Sequence, residues 1–185
     1  QTVTVASDNF EKFTGSIIGN IMITRLEPFG TRITDTTMHT DKWVLKTAND
    51  IHINTRKKII KSSLFFKEGD EVDPDKLKDS ERILRTQSYI KDARIYIKPK
   101  KGSKEVDVIV VAREIWSISA GFKYNDVDNF DIDVTDKNFL GLGQQLKNEF
   151  LYSAQTTPEI GYSGTYTVNN IKSTFITGEL TYARS

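Results

Sequence analysis

The alternation of apolar and polar residues along the chain changes at Trp116. From Trp116 to Asn125 every second residue is apolar or aromatic and the residues between are small or polar, which predicts a β-strand with one apolar face. Four more segments with a related alternation follow, each bounded by turn residues. Their apolar positions are Phe130, Ile132 and Val134; Leu146, Phe150 and Tyr152; Ile160, Tyr162, Gly164, Tyr166 and Val168; and Ile176, Leu180 and Tyr182.

The segment before Trp116 has the patterns of a small α+β domain. Ile17–Leu26 is rich in β-branched residues and predicts a strand. A first helix is predicted to begin at Asn54, whose side chain is a good N-cap, and Gly69 lies near the expected C′ position after it. The buried face of this helix is predicted to hold Ile59, Ile60, Ser63 and Leu64.

A second helix has clearer boundary signals. Asp73 is the candidate N-cap, and Pro74 takes the first helical position, where a missing N–H costs no hydrogen bond. Ile90–Lys98 and Glu105–Ala112 then form a predicted hairpin. Because the second of these strands is nearly continuous valine and isoleucine, we expect it to be central and buried on both faces, with the first at the sheet edge. The residues at helical spacing after Pro74 are Leu77, Ser80, Glu81 and Leu84.

Composition and charge exclude several classes of protein. The most apolar stretch, Val106–Ala112, is too short for a membrane-spanning helix and contains Asp107. Residues 114–185 carry five Lys or Arg against nine Asp or Glu, a balance of −4, which leaves +5 for residues 1–113. That charge is too diffuse for nucleic-acid binding, so no nucleic-acid partner is expected. The chain has no cysteine. No signal peptide begins at Gln1, so either the protein is cytosolic or a leader has been removed, and the motifs described next favour removal.

Residues 49–99 contain four motifs: N-D-I-H-I-N-T-R-K-K-I-I, L-F-F-K-E-G-D, S-E-R-I-L-R and Y-I-K-D-A-R-I-Y-I-K-P. With the predicted βααββ order, this block resembles the POTRA (polypeptide-transport-associated) domain nearest the barrel in the BamA/TamA-type outer-membrane assembly factors of the surface-antigen superfamily. Asp136–Leu146, D-K-N-F-L-G-L-G-Q-Q-L, is similar to the passage from the second to the third barrel strand of that family. The implied domains are a lead-in over 1–14, an α+β POTRA domain with a three-stranded sheet under two helices over 15–113, and about five antiparallel strands of an incomplete transmembrane β-barrel over 114–185.

Two features depart from the family pattern. The connection over residues 27–50 is longer than POTRA domains usually have, and Trp43, Val44 and Leu45 predict that it packs rather than floats. The family's barrel has sixteen strands, and an open sheet of five leaves edges that lipid cannot satisfy. We therefore expect the chain to be the N-terminal part of a longer protein.

The resemblance implies two strand edges as binding sites. From the residues alone, the edge strand after the second helix is equally compatible with strand addition and with an edge that Arg94 and Lys98 merely protect. The resemblance favours strand addition, by which POTRA domains hold partners and nascent chains. The candidate partner-binding residues are Ala93, Arg94, Ile95, Tyr96, Ile97 and Lys98. The candidate barrel edge, on the first strand, comprises Ser117, Ile118, Ser119, Ala120, Gly121, Phe122, Lys123 and Tyr124, with Trp116 as a membrane-interface aromatic residue.

Other groupings are better explained without a ligand. Asp126, Asp128, Asp131 and Asp133 lack the glycine that a calcium loop of EF-hand type needs at its sixth position, which favours a solvated hairpin tip with lumen-facing carboxylates. Gly141–Gly143 is interpreted as a tight strand connection rather than a dinucleotide loop. We expect His52 to pack before the first helix and not to pair with His39 in a metal site. The remaining basic run, Lys98–Lys104, is interpreted as a solvated turn, with contact to anionic headgroups as the functional alternative.

These observations favour a protein that is not an enzyme and uses no cofactor. The leading hypothesis is an outer-membrane factor that assembles or translocates other proteins, with its POTRA domain in the periplasm and its partners held by β-augmentation. The expected partners are unfolded outer-membrane proteins or a secreted partner, outer-membrane lipid and accessory lipoproteins. One alternative is a secretion pore for one partner, or a barrel that anchors a fused passenger. Another is a soluble two-domain binding protein whose second half is a β-sandwich.

Overall fold

A computed structural model describes residues 8–28, 52–171, 174 and 176–184 of the chain. The chain divides into two compact units, unit 1 over residues 1–115 and unit 2 over residues 116–185. The predictions for His39, for Trp43–Leu45 and for the connection beyond Pro28 lie outside the described residues. Within the described part of the chain, every helix is too short or too polar to cross a membrane.

Unit 1 contains a three-stranded sheet with the order β1-β3-β2. Its strands are β1 (Ile17–Leu26), β2 (Ile90–Pro99) and β3 (Glu105–Glu114). β1 runs parallel to β3 and β2 runs antiparallel to it, so β3 is central, as predicted. The prediction that β3 is buried on both faces is wrong: its even-numbered residues are buried and its odd-numbered residues from Asp107 to Arg113 are half-exposed.

The described part of unit 1 also contains two helices, preceded by a short 3-10 turn at Phe10–Phe13 within the predicted lead-in. α2 (Pro74–Thr86) begins as predicted, because the Asp73 side chain accepts hydrogen bonds from the N–H groups of Asp75 and Lys76. The core of the unit lies between the helices and one face of the sheet. Its fully buried apolar residues include Ile18, Ile60, Leu77, Leu84, Ile95, Ile97, Val108 and Val110.

The prediction for the first helix is partly wrong. α1 spans only Lys57–Lys61, and Arg56, not Asn54, occupies the N-cap position without a side-chain cap. The helix stops because the Ser62 hydroxyl donates to the Ile59 carbonyl (2.8 Å) and the Phe65 N–H donates to the Ser80 hydroxyl (2.9 Å), which draws the chain toward α2. Gly69 has φ 91°, but its N–H donates to the Ile18 carbonyl (2.8 Å), so it lies in a loop beside β1 rather than at a helix C-terminus.

Unit 2 is one antiparallel sheet with the order β4-β5-β6-β7-β8 among its described residues. The five strands that the alternation predicted are present. They are β4 (Ile118–Asp126), β5 (Asn129–Asp136), β6 (Gln144–Ser153), β7 (Ile160–Val168) and β8 (Gly178–Arg184). A β-sandwich needs two sheets packed face to face, and the described residues of unit 2 form one, so the sandwich alternative is not supported.

Candidate functional site

The predicted partner-binding strand lies at a sheet edge. β2 pairs with β3 along one side only, among the described residues. Its alternation is as predicted: Ala93, Ile95 and Ile97 are buried against the core, and Arg94 and Lys98 are exposed on the opposite face. Whether a partner pairs with this edge stays a prediction.

The predicted barrel edge is the outer strand of the unit 2 sheet. Seven of its eight candidate residues, from Ile118 to Tyr124, lie on β4, which pairs only with β5 among the described residues. Ser117 lies outside the strand. Ser117 is buried, and its carbonyl accepts a hydrogen bond from the Lys137 N–H (2.9 Å). It therefore fixes the start of β4, and its carbonyl is not open for pairing with another strand. Trp116, half-buried, precedes it.

The register of unit 2 aligns the apolar residues in rows across one face of the sheet. Two neighbouring rows each cross the same four strands, β4 to β7. The first contains Phe122, Ile132, Phe150 and Tyr162. The second contains Tyr124, Phe130, Tyr152 and Ile160. Ring centroids 5.0 Å apart for Phe130 and Tyr152, and 5.2 Å apart for Phe150 and Tyr162, show that aromatic contacts run along the face.

The opposite face carries mainly small, hydroxyl and charged side chains. One row contains Ser119, Thr135, Lys147, Thr165 and Thr181. The next contains Gly121, Asp133, Glu149 and Ser163. The Lys147 ammonium donates to Glu149 Oε1 (2.6 Å), and the Asp133 carboxylate lies over Gly121, where a Cβ would collide with it. Leu151 is an apolar exception on this face.

Exposure in this sheet is the reverse of what a soluble sheet shows. In the central strands Ile132, Val134 and Phe150 are exposed, whereas Asp133 and Glu149 on the polar face are only partly exposed. Phe122 on β4 is 65% exposed. A soluble antiparallel sheet packs its apolar face on a core and leaves its polar face to water, and exposed apolar patches of this extent mark contact surfaces. The apolar face therefore needs an apolar partner.

One polar residue interrupts the apolar face, and the structure accounts for it. Asn148 lies in the row between Val134 and Gly164. The Tyr162 hydroxyl donates to Asn148 Oδ1 (2.8 Å), and a Cβ on Gly164 would lie 2.5 Å from that hydroxyl. Because Gly164 has no side chain, the Tyr162 side chain can lie over it and bind the Asn148 amide on the neighbouring strand.

The motif Asp136–Leu146 forms the tight connection that was predicted between β5 and β6. Leu140, Gly141 and Gly143 all have positive φ, and the buried Asn138 side chain accepts a hydrogen bond from the Gly143 N–H (2.8 Å). Asn138 holds the two ends of the turn together, a role that the sequence did not indicate. The Tyr166 hydroxyl also donates to Gln144 at the start of β6.

A buried polar cluster at the end of β3 was not foreseen. Glu114 is fully buried, and its carboxylate accepts hydrogen bonds from His52 Nε2 (2.8 Å) and from the Thr55 N–H (3.1 and 3.0 Å). The nearby Tyr89 is buried, and this burial, with the negative charge of Glu114 contributing, raises its pKa to about 12. The prediction that His52 packs before the first helix is confirmed. The alternation of β3 could have identified Glu114, because it continues the buried series from Val106 to Ala112.

The acidic residues near the first hairpin of unit 2 are spread over several positions. Asp126 ends β4 and accepts a hydrogen bond from the Asp128 N–H (2.8 Å) at the tip, while Asp131 and Asp133 lie on β5. No cluster of three or more His, Asp or Glu side chains that could hold a metal ion occurs in the described ranges. The four aspartates are thus divided between the end of β4, the hairpin tip and β5.

Comparisons with known proteins give a likeness at the level of fold. No family model matches the sequence, and no curated protein matches it. The solved structure of BamA from Haemophilus ducreyi lacking POTRA domains 1–3 is similar to this chain, with a TM-score of 0.57 and 15% identity, over 89% of this chain and 27% of that one. CdiB from Acinetobacter baumannii matches with a TM-score of 0.43 and 15% identity, over 88% of this chain and 28% of that one.

The likeness to BamA is one of fold alone, since the two sequences are only 15% identical. Unit 2 has only 70 residues, so a match over 89% of the chain includes most of unit 1 as well. The chain spans about a quarter of the length of either solved protein. The activity of those whole proteins therefore does not transfer to this chain as a finding.

Proposed function

We propose that this chain is the periplasmic POTRA domain and the first barrel strands of an outer-membrane factor that assembles or translocates other proteins. Unit 1 is the POTRA domain, and β4–β8 form part of a barrel wall. The factor makes and breaks no covalent bond. Its work is to hold unfolded client chains, or a secreted partner, by backbone pairing at exposed strand edges.

The observation that carries this proposal is the inverted exposure of the unit 2 sheet. Lipid is the environment in which rows of exposed Phe, Tyr, Ile and Val are stable, and strands that alternate apolar-out and polar-in are typical of outer-membrane barrels. The polar face, with Lys147, Glu149 and Asp133, suits a wet lumen. β4–β8 contain seven to ten residues each, close to the ~9–11 residues that a tilted strand needs to cross a bilayer.

Unit 1 supports the POTRA assignment through its topology and its open edge. A βααββ order, a mixed three-stranded sheet with β3 central, and two helices on one face agree with that domain type. β2 then offers its edge to an extended chain.

Photo-crosslinking tests the pairing function, since Ser119, Thr135 and Lys147 lie in one row on one face and differ in position within the sheet. The longer protein expected to contain this chain is refolded into liposomes with a photoreactive residue at Ser119 on the edge strand β4, or at Lys147 on the central strand β6. A urea-denatured outer-membrane barrel protein is then added as client. We expect adducts from position 119 and few from position 147. Equal yields, or none, would contradict edge pairing, and ion conductance without client insertion would favour the secretion-pore alternative.

A further inference from the structure

The edge of β2 is partly occupied by side chains of α2. Arg85 Nη1 donates a hydrogen bond to the Ala93 carbonyl (3.0 Å), and the Ile95 N–H donates to Glu81 Oε1 (3.2 Å). The two side chains are one helical turn apart, with Arg85 Nη1 3.7 Å from Glu81 Oε1. Arg85 thus supplies one hydrogen-bond donor and Glu81 one acceptor to the edge of β2, as the backbone of a neighbouring strand would.

These contacts identify which backbone groups of β2 face outward. In a strand, the N–H and C=O of alternate residues point to the same side, so Ala93, Ile95 and Ile97 share the outward direction. The Ala93 N–H donates a hydrogen bond to the Asp92 side chain (2.9 Å), and Pro99 has no N–H. Along Ala93–Pro99 this leaves the Ile95 carbonyl, both groups of Ile97 and the Pro99 carbonyl facing outward for a partner.

We propose that Glu81 and Arg85 form a displaceable cap on this edge, so that an extended client segment pairs first over Ile95–Pro99 and reaches Ala93 only after displacing the cap. This inference rests on the proposed function and specifies how its edge is controlled. Glu81 is 13% exposed, so it is held in place rather than swinging freely in solvent, and Arg85 is 38% exposed.

The occupant that fits this edge is a barrel strand with alternating apolar and acidic residues. Arg94 and Lys98 project from the same face of β2 on either side of Tyr96. A residue paired beside Tyr96 therefore has a cation on each diagonal, which favours a carboxylate there. The segment Asn129–Asp136 of this chain has that pattern in its first half, with Asp131 and Asp133 at alternate positions between Phe130, Ile132 and Val134.

The test titrates a synthetic peptide of the sequence Asn129–Asp136 into the isotope-labelled full chain in detergent micelles. Binding is followed at the amide resonances of Ile95 and Ile97, so pairing at the edges of unit 2 is not counted. Arg85→Ala and the double change Glu81→Ala with Arg85→Ala should bind about threefold to tenfold more tightly than the original, since hydrogen bonds that compete with the client are gone. The Ile95 amide should also exchange faster in the double variant without peptide.

Two controls keep the outcomes distinct. Asp79 and Arg82 form an exposed ion pair on the same helix (2.9 Å), so replacing both with alanine should leave the affinity unchanged. Glu81→Gln keeps an acceptor for the Ile95 N–H and should bind like the original. Equal or weaker binding by the cap variants, with Ile95 and Ile97 resonances still those of a folded sheet, would overturn the cap. No resonance change in any protein would instead overturn the proposed pairing function at this edge.

Discussion

Replacing Glu114 with alanine should destabilise unit 1 more than any change to its surface charges. The substitution removes the acceptor of two hydrogen bonds, from His52 and from the Thr55 N–H, at a fully buried position. Hydrogen bonds to a charged group contribute about 1.5–3 kcal/mol each. We therefore expect a loss of about 3–5 kcal/mol, which is a large part of the ~5–15 kcal/mol stability of a typical domain.

The assay is native-state hydrogen exchange of the full chain in micelles, read on amides of β2 and β3. Glu114→Gln keeps an acceptor for the Thr55 N–H and should lose only about 1–2 kcal/mol. Glu105, at the other end of β3, is half exposed and pairs with Lys100 at 2.9 Å. Glu105→Gln should therefore change the free energy of unfolding little. If Glu114→Ala falls within about 1 kcal/mol of the original, a structural role for the cluster is refuted.

Two further predictions concern Tyr89 and Gly164. The pKa of Tyr89 is raised to about 12 in the folded state, so the folded chain keeps this proton while the unfolded chain loses it near pH 10. The free energy of unfolding should therefore fall by roughly 2–3 kcal/mol as the pH rises from about 10 to 12. Denaturation at stepped pH should show that Tyr89→Phe lacks this part of the fall, and identical profiles for the two proteins would contradict the prediction. Gly164→Val should displace the Tyr162 hydroxyl from Asn148 and lower the free energy of thermal unfolding in micelles by about 1–2 kcal/mol. Tyr162→Phe should cause the same loss, and combining the two changes should cause no further loss, because both remove one hydrogen bond. Additive losses would refute this shared cause.

The strands and α2 could be predicted because their signals are local. Asp73 and Pro74 determine where α2 begins, and the period-two pattern after Trp116 determines five strands without reference to any distant residue. The resemblance in Asp136–Leu146 likewise rests on a turn whose glycines adopt positive φ in the structure.

The errors arose where distant contacts decide. The first helix ends early because Phe65 is drawn to Ser80, fifteen residues further along the chain. The outer face of β3 is half-exposed because both helices pack on the other face of the sheet, so valine and isoleucine content alone overstated its burial. Ser117 resembled a strand residue by its alternation, but its carbonyl is taken by Lys137.

The sites were harder to predict than the elements. The edge position of β2 followed from the order of elements, but the contacts of Glu81 and Arg85 with that edge depend on how α2 packs over it. The same holds for Glu114, whose partners lie about sixty residues earlier in the chain. Contacts between such distant residues are hard to predict from sequence. The only sign of this one is that Glu114 places a carboxylate on the otherwise apolar, buried face of β3.

The central claim is that the apolar face of unit 2 contacts lipid while its opposite face contacts water. Because the chain has no cysteine, a single cysteine can carry a spin label at a chosen position. Labels at positions 131 to 134 of β5, in the chain reconstituted into lipid bilayers, should alternate: Ile132 and Val134 accessible to oxygen dissolved in the bilayer, Asp131 and Asp133 accessible to a water-soluble nickel reagent. Uniform accessibility, or the opposite alternation, would contradict the account.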